Sequence, residues 1–252
     1  MSKVRYNIEN RILVLDMLRG ISMVFVIIYH FFYSLDYFMN IKLISLDMPI
    51  IGVIHRLILM ILFIVSGVCT SFSRNLLKNG IKLVILGQVI SIFTLIFVPS
   101  LAIRFGILSF IGTMMIISYF KTYIPNNINI ILKLIILFSL YIVLLDFPSG
   151  VINLFGKKLE INLPDNINYL YPIGIVSKDF TSSDYFPIIP NGFIYLFGVV
   201  LSRPISDNSF PKWFYNIKGI PIINFIGKHS LIVYLIHQPI IIGCLWLFKS
   251  FL

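Results

Sequence analysis

Charge is what this 252-residue chain has least of: Asp and Glu together number 10, and charged residues of both signs make up 12 %. Soluble domains carry about 25 %, so the chain lacks the polar groups to cover a water-facing surface of its size. The scarcity of acids also removes whole classes of chemistry. There is no HExxH pair and no carboxylate-rich set spaced for a metal, so no metal site is expected. Only two cysteines occur, Cys69 and Cys244. Both sit in apolar runs and cannot form a CxxC redox or zinc pair, so they read as small buried hydrophobes. GxSxG, Walker and GxGxxG motifs are missing. No cleavable signal is evident, because the first apolar run carries ions and lacks a small-residue cleavage site.

What the chain does have is hydrocarbon. Apolar residues make up 58 % and the mean hydropathy is +0.96. Runs long enough to cross a bilayer, about 20 residues, fall at 12–33, 49–72, 82–99, 104–120, 128–146, 187–203 and 224–248. The expected fold is therefore all-α: a polytopic membrane protein of about seven helices forming one transmembrane domain over 1–252. A long segment at 147–186 is too rich in aromatic and aliphatic residues for disorder. It reads as an extracytoplasmic cap with room for a short interfacial helix.

The net charge of +10 marks topology and contact with the lipid bilayer, with no nucleic-acid partner. Lys3, Arg5 and Arg11 precede the first run. Arg74, Lys78 and Lys82, then Lys121, then Arg203, Lys212, Lys218 and Lys228 occupy alternate connections. Most acids occupy the others. This pattern predicts a multi-pass protein of the plasma membrane with its N-terminus in the cytoplasm.

Ionisable residues inside spans are functional candidates by default. The first span, "RILVLDMLRGISMVFVIIYH", carries Asp16, Arg19 and His30. At about 100° per residue all three share one helical face. Fourteen residues separate Asp16 from His30, which is about 21 Å along the axis. Asp16 therefore cannot orient His30 as a triad acid does. Asp16 and Arg19 are i,i+3 neighbours able to neutralise each other, while His30 reads as a separate group nearer the outer end. The bland alternative is a structural ion pair and an interfacial histidine beside Tyr29 and Tyr33. In the last span Ser230, Tyr234 and His237 line one face, just before Gln238 and Pro239. His237 is a proton carrier or hydrogen-bond anchor, or equally a core histidine satisfied by Ser230 or Tyr234. His55 lies near the outer end of the second run and could approach His30. Ser66 and Gly67 would let another helix pack closely. Arg104 and Ser109 open the fourth run.

The first-helix pattern R-x-x-x-L-D-x-L-R-G followed by a histidine resembles that of membrane acyltransferases. Arg11, Leu15, Asp16, Leu18, Arg19, Gly20 and His30 carry it. The stretches "LFIVSGVCTSFSRN", "RFGILSFIG", "DYFPIIPNGFIYLFGVVL" and "IGKHSLIVYLIHQP" resemble, in order, a small bacterial branch related to heparan-alpha-glucosaminide N-acetyltransferase. The resemblance implies acetyl transfer from acetyl-CoA, a co-substrate and not a bound cofactor, to an amine or hydroxyl of a cell-envelope glycan or sugar. It implies that Asp16 and Arg19 serve the CoA side and His30 the acceptor side. By charge, Arg11, Arg74, Lys78 and Lys82 on the cytoplasmic face suit CoA phosphates; His237 and His55 join His30 as catalytic candidates, and Arg104, Ser109 and Asp184 are the candidate acceptor-binding residues. One departure stands out. The lysosomal branch has its histidine in the outer loop after the first helix, and residues 33–48 here hold none. Either His30 takes that role or the chemistry differs. A transporter or flippase using the polar face as a pathway, and a structural membrane protein with a degenerate site, are the rival readings.

Overall fold

A computed structural model describes residues 12–120, 128–154, 156–161 and 169–250. Among the described residues the regular structure is mostly α-helix: α1 Leu13–Met39, α2 Pro49–Thr70, α3 Leu76–Phe97, α4 Ile107–Tyr119, α5 Ile130–Val143, α6 Ile188–Ser206, α7 Lys212–Asn216, α8 Pro221–Lys228 and α9 Ser230–Ser250. The exception is an antiparallel hairpin of β1 Val151–Leu154 and β2 Lys157–Glu160, with Val151 opposite Glu160 and Leu154 opposite Lys157. Gly156, at φ 87°, supplies the left-handed backbone that its tight turn needs. The part of the expected cap that is described holds this hairpin, followed by turns over 169–187, and no helix of α type.

Six helices are long and apolar enough to cross a membrane, among the described residues: α1, α2, α3, α5 with its extension to Ser149, α6 and α9. Two expected spans differ from their sequence reading. The run 104–120 yields α4 of only 13 residues, about 20 Å long against a hydrocarbon core of about 30 Å. Its first three residues are not helical, because Phe105 takes φ 55° and Gly106 is extended. The run 224–248 is two helices. α8 ends at Lys228, and His229 (φ −106°, ψ 23°) separates it from α9. α1 extends past its expected end to Met39, where Asn40 in the left-handed region closes it by donating to the carbonyls of Asp36 and Leu35. His30 is therefore about 13 Å inside the helix end. Cys244 is exposed, against the expectation of a buried thiol.

The chain folds as two compact units, one of residues 1–65 with 208–252 and one of residues 66–207. In the first, α1 is the centre. α8 crosses it at a point so close that a Cβ on Gly227 would stand 1.8 Å from the Asp16 carbonyl oxygen, and one on Gly20 would stand 2.0 Å from that of Ile223. Each glycine presents a Cα–H where the other helix presents a carbonyl, a reciprocal weak hydrogen-bond geometry. Further along α1, α9 runs in the same sense. His30 meets His237, Ser34 meets Gln238, and Leu35 packs with Ile241 and Leu245.

The second unit uses the same device. α3 and α4 form an antiparallel pair in which a Cβ on Gly112 would lie 2.7 Å from Val84 N, and one on Gly87 would lie 2.3 Å from Ser109 Oγ. Gly67, at the end of α2, sits on α6: a Cβ there would be 2.1 Å from the Tyr195 carbonyl oxygen. Phe110 and Tyr195, both fully buried, meet edge to face at 6.2 Å and join α4 to α6.

Gly227→Ala places a methyl group against backbone that cannot move aside as a side chain does. Overpacking of this kind costs about 1–3 kcal/mol. Gly243, on the open side of α9, has nothing within 4 Å of an added Cβ. Gly243→Ala is expected to leave the melting temperature in detergent unchanged or raised, while Gly227→Ala lowers it. Equal melting temperatures would contradict the close crossing.

Candidate active site

The functional side chains of the first unit gather where α1, α2 and α9 meet. On α1, positions 29, 30 and 34 project together because 30 and 34 are one turn apart. His30 and His237 have ring centroids 5.1 Å apart at 55°. Tyr29 stacks on His55 of α2 at 4.2 Å and 12° and stands edge-on to His30 at 6.0 Å. The four rings thus form a chain: His55, Tyr29, His30, His237. All three expected catalytic histidines belong to it.

His237 is buried (7 % exposed). Its Nδ1 lies 2.5 Å from the backbone carbonyl of Tyr234. A carbonyl oxygen can only accept, so Nδ1 carries the proton and donates it. In the neutral ring Nε2 then holds the lone pair and can accept a proton. The group on this ring nitrogen is the Tyr234 backbone carbonyl. Next to it, Gln238 Nε2 donates to Ser34 Oγ at 3.0 Å, and Ser34 is fully buried. Ser34, Tyr29 and Gln238 were not singled out from the sequence. Their signal is position: each is adjacent to, or one turn from, a candidate histidine.

α1 is unbroken between Asp16 and His30, which keeps them about 21 Å apart. Asp16 is buried (5 % exposed) beneath the α8 crossing, and Arg19 is half-buried one turn on. Arg11 lies outside the described residues. Arg74 and Lys78 belong to the second unit, together with Lys82, and all three are exposed around the start of α3.

Arg104, Ser109 and Asp184 are also in the second unit. Residues 101–105 are clasped to 182–186. Ser183 N donates to Ala102 O (3.2 Å), Phe186 N to Phe105 O (3.1 Å) and Arg104 N to Ser182 Oγ (2.8 Å). The exposed Arg104 guanidinium stands 5.6 Å over the Phe180 ring. A Cβ on Gly106 would lie 3.0 Å from Asp184 Oδ2, so this carboxylate sits at the start of α4, where a negative charge suits the helix dipole. Ser109 is fully buried between α3 and α4, accepting from Gln88 Nε2 at 3.4 Å. Tyr185 donates to the Tyr171 carbonyl at 2.6 Å. Burial, and secondarily Tyr171, push its phenol above the ordinary value.

These features define a multi-pass membrane protein with histidines gathered inside its spans. The chain belongs to the heparan-alpha-glucosaminide N-acetyltransferase catalytic family, whose sequence model matches residues 11–239. That places it among transmembrane acetyltransferases. No curated protein and no solved structure matches it significantly.

Gln238→Leu removes the donor to a fully buried hydroxyl. It should cost about 1 kcal/mol, read as a melting temperature lower by about 2–4 °C. The raised pKa of Tyr185 contributes stability that is complete below about pH 10 and is lost as pH rises beyond it. Tyr185→Phe is therefore expected to flatten the alkaline limb of a melting-temperature profile. An unchanged limb would show that the phenol ionises alike in both states.

Proposed function

We propose that the protein is an acetyl-CoA-dependent acetyltransferase of the plasma membrane that acetylates an amine or hydroxyl of a cell-envelope sugar. The observation that carries this reading is the His30–His237 pair, with one ring held in a single tautomer by the Tyr234 carbonyl, inside a chain of this family. The acceptor nitrogen or oxygen attacks the thioester carbonyl as His30 takes its proton. The carbon–sulfur bond breaks, and the imidazolium returns that proton to the departing thiolate. His237, 5.1 Å away, presents Nε2 as a second proton acceptor beside it. His55 and Tyr29 hold the His30 ring from the other side.

The donor side is served by cations. Lys78 and Lys82, four residues apart, share one face of α3 within the second unit, and Arg74 lies in the turn just before that helix. Exposed cations at a helix N-terminus suit CoA phosphates. Arg19 and Asp16 lie along the α1 face that leads toward His30, and an extended pantetheine arm is comparable in length to their separation from it. With the N-terminus cytoplasmic, acetyl-CoA comes from the cytoplasm. Within the second unit, Arg104 and Asp184 have the chemistry to bind a sugar.

The test uses purified protein in detergent, labelled acetyl-CoA and glucosamine as acceptor. His30→Ala is expected to lower kcat by about 10²–10⁴-fold while acetyl-CoA still raises the melting temperature saturably. Ligand at 100 times its Kd stabilises by about 2.7 kcal/mol, which such a melt resolves. Full transfer by His30→Ala would overturn the assignment of His30. Failure of acetyl-CoA to stabilise the wild type would favour a transporter.

A further inference from the structure

The first unit contains a cavity of about 140 Å³ between α1, the connection 40–48 and α2. Its walls include Phe25, Phe32, Leu46 and Ile54, and the rings of Tyr29 and His55. Every other lining side chain is aliphatic or phenyl. An apolar cavity of about 150 Å³ stays dry and admits a benzene-sized group. This one therefore suits a few carbons of a hydrocarbon chain and repels a free sugar. Phe25 is 44 % and Ile54 43 % exposed, so the mouth opens sideways. α1 and α2 are candidate membrane spans, so what lies beyond that mouth is bilayer hydrocarbon.

Two observations separate this cavity from a groove filled by any passing lipid. Leu46 and Ile44 of the connection line it together with the two helices, so it has a third wall that a plain groove between two helices lacks. One wall is the stacked Tyr29–His55 pair, which turns ring carbon to the cavity, and Tyr29 is edge-on to His30. A chain seated here lies one ring away from His30.

From this placement we infer that the acceptor is lipid-linked: an amine- or hydroxyl-bearing sugar on a hydrocarbon anchor, whose carbons nearest the head occupy the cavity and hold the nucleophile at His30. This rests on the transfer reading above and narrows its substrate class. The chain gains little from leaving one hydrocarbon for another. Its effect is orientation, the same advantage that makes positioned reactants fast.

The test has a binding arm and a kinetic arm. In the first, octyl glucosaminide carrying a diazirine on its chain is photo-crosslinked to the whole protein in nanodiscs, without acetyl-CoA. Labelling is expected on α1 and α2 peptides that line the cavity. Unlabelled octyl glucosaminide should displace it, and a phospholipid of equal chain length should not. Ile54→Trp and Leu46→Trp each fill the cavity and should abolish this labelling. Two variants guard against one failing to fold, as judged by its melting temperature. In the second arm, kcat/KM for octyl glucosaminide should exceed that for glucosamine by about tenfold or more, and the ratio should fall toward one in the filled variants. Labelling spread over all lipid-facing helices, or equal displacement by phospholipid, would mean annular lipid only and overturn the inference. A ratio near one in the wild type would do the same. Site-specific labelling with no transfer to either acceptor would instead strike the transfer reading and leave the cavity as a site for alkylated amino sugars.

Discussion

The first unit depends on one contact, the crossing of α1 and α8 at Gly20 and Gly227. Backbone meets backbone there with no side chain between, which fixes the separation of the two helices more tightly than interleaved side chains do. Apolar burial gives little preference for one helix pairing over another inside a membrane, since lipid tails are as apolar as leucine. Close backbone approach supplies that preference. The second unit repeats the principle at Gly67, Gly87 and Gly112, so glycine specifies packing at the tightest crossings of both units.

Fixing α8 on α1 has consequences at the histidines. α9 follows α8 after a single residue, so its start is tied to the crossing. It then meets α1 at His30, Ser34 and Leu35. The polar contacts there are few, with Gln238 to Ser34 and His237 to the Tyr234 carbonyl. They set ring orientation and tautomer once the helices are in place. Packing thus precedes chemistry: the glycines bring the histidine-bearing faces together, and the hydrogen bonds decide which nitrogen can accept a proton.

Much of this was legible in the chain. The 100° period put Asp16, Arg19 and His30 on one face and 21 Å apart end to end, and α1 keeps them so. The family pattern was carried by the same residues. Helix boundaries were less legible where hydropathy continues across a structural break. Gly227 in "IGKHSLIVYL" is a stop signal two residues before the joint, but an apolar count runs across it and misses His229. Arg104, Phe105 and Gly106 read as the start of a span because Phe105 is apolar, whereas its left-handed backbone excludes it from the helix. Periodicity also says which residues share a face and not which faces meet. His237 beside His30, and Tyr29 stacked on His55, are properties of tertiary packing that one sequence does not encode in any local spacing.

The joint at His229 has a further meaning. Two helices separated by one residue share a fixed angular phase, since each residue added between them turns the second by about 100°. A single insertion or deletion at that point would keep both helices intact and still swing His237 to another side of α9, away from His30. What the joint conserves is chain length, and side-chain identity there is secondary. The distance in residues from Gly227 to His237 therefore acts as a ruler: it sets whether the face that meets α1 below the joint and the face that meets it above are both available to the same helix.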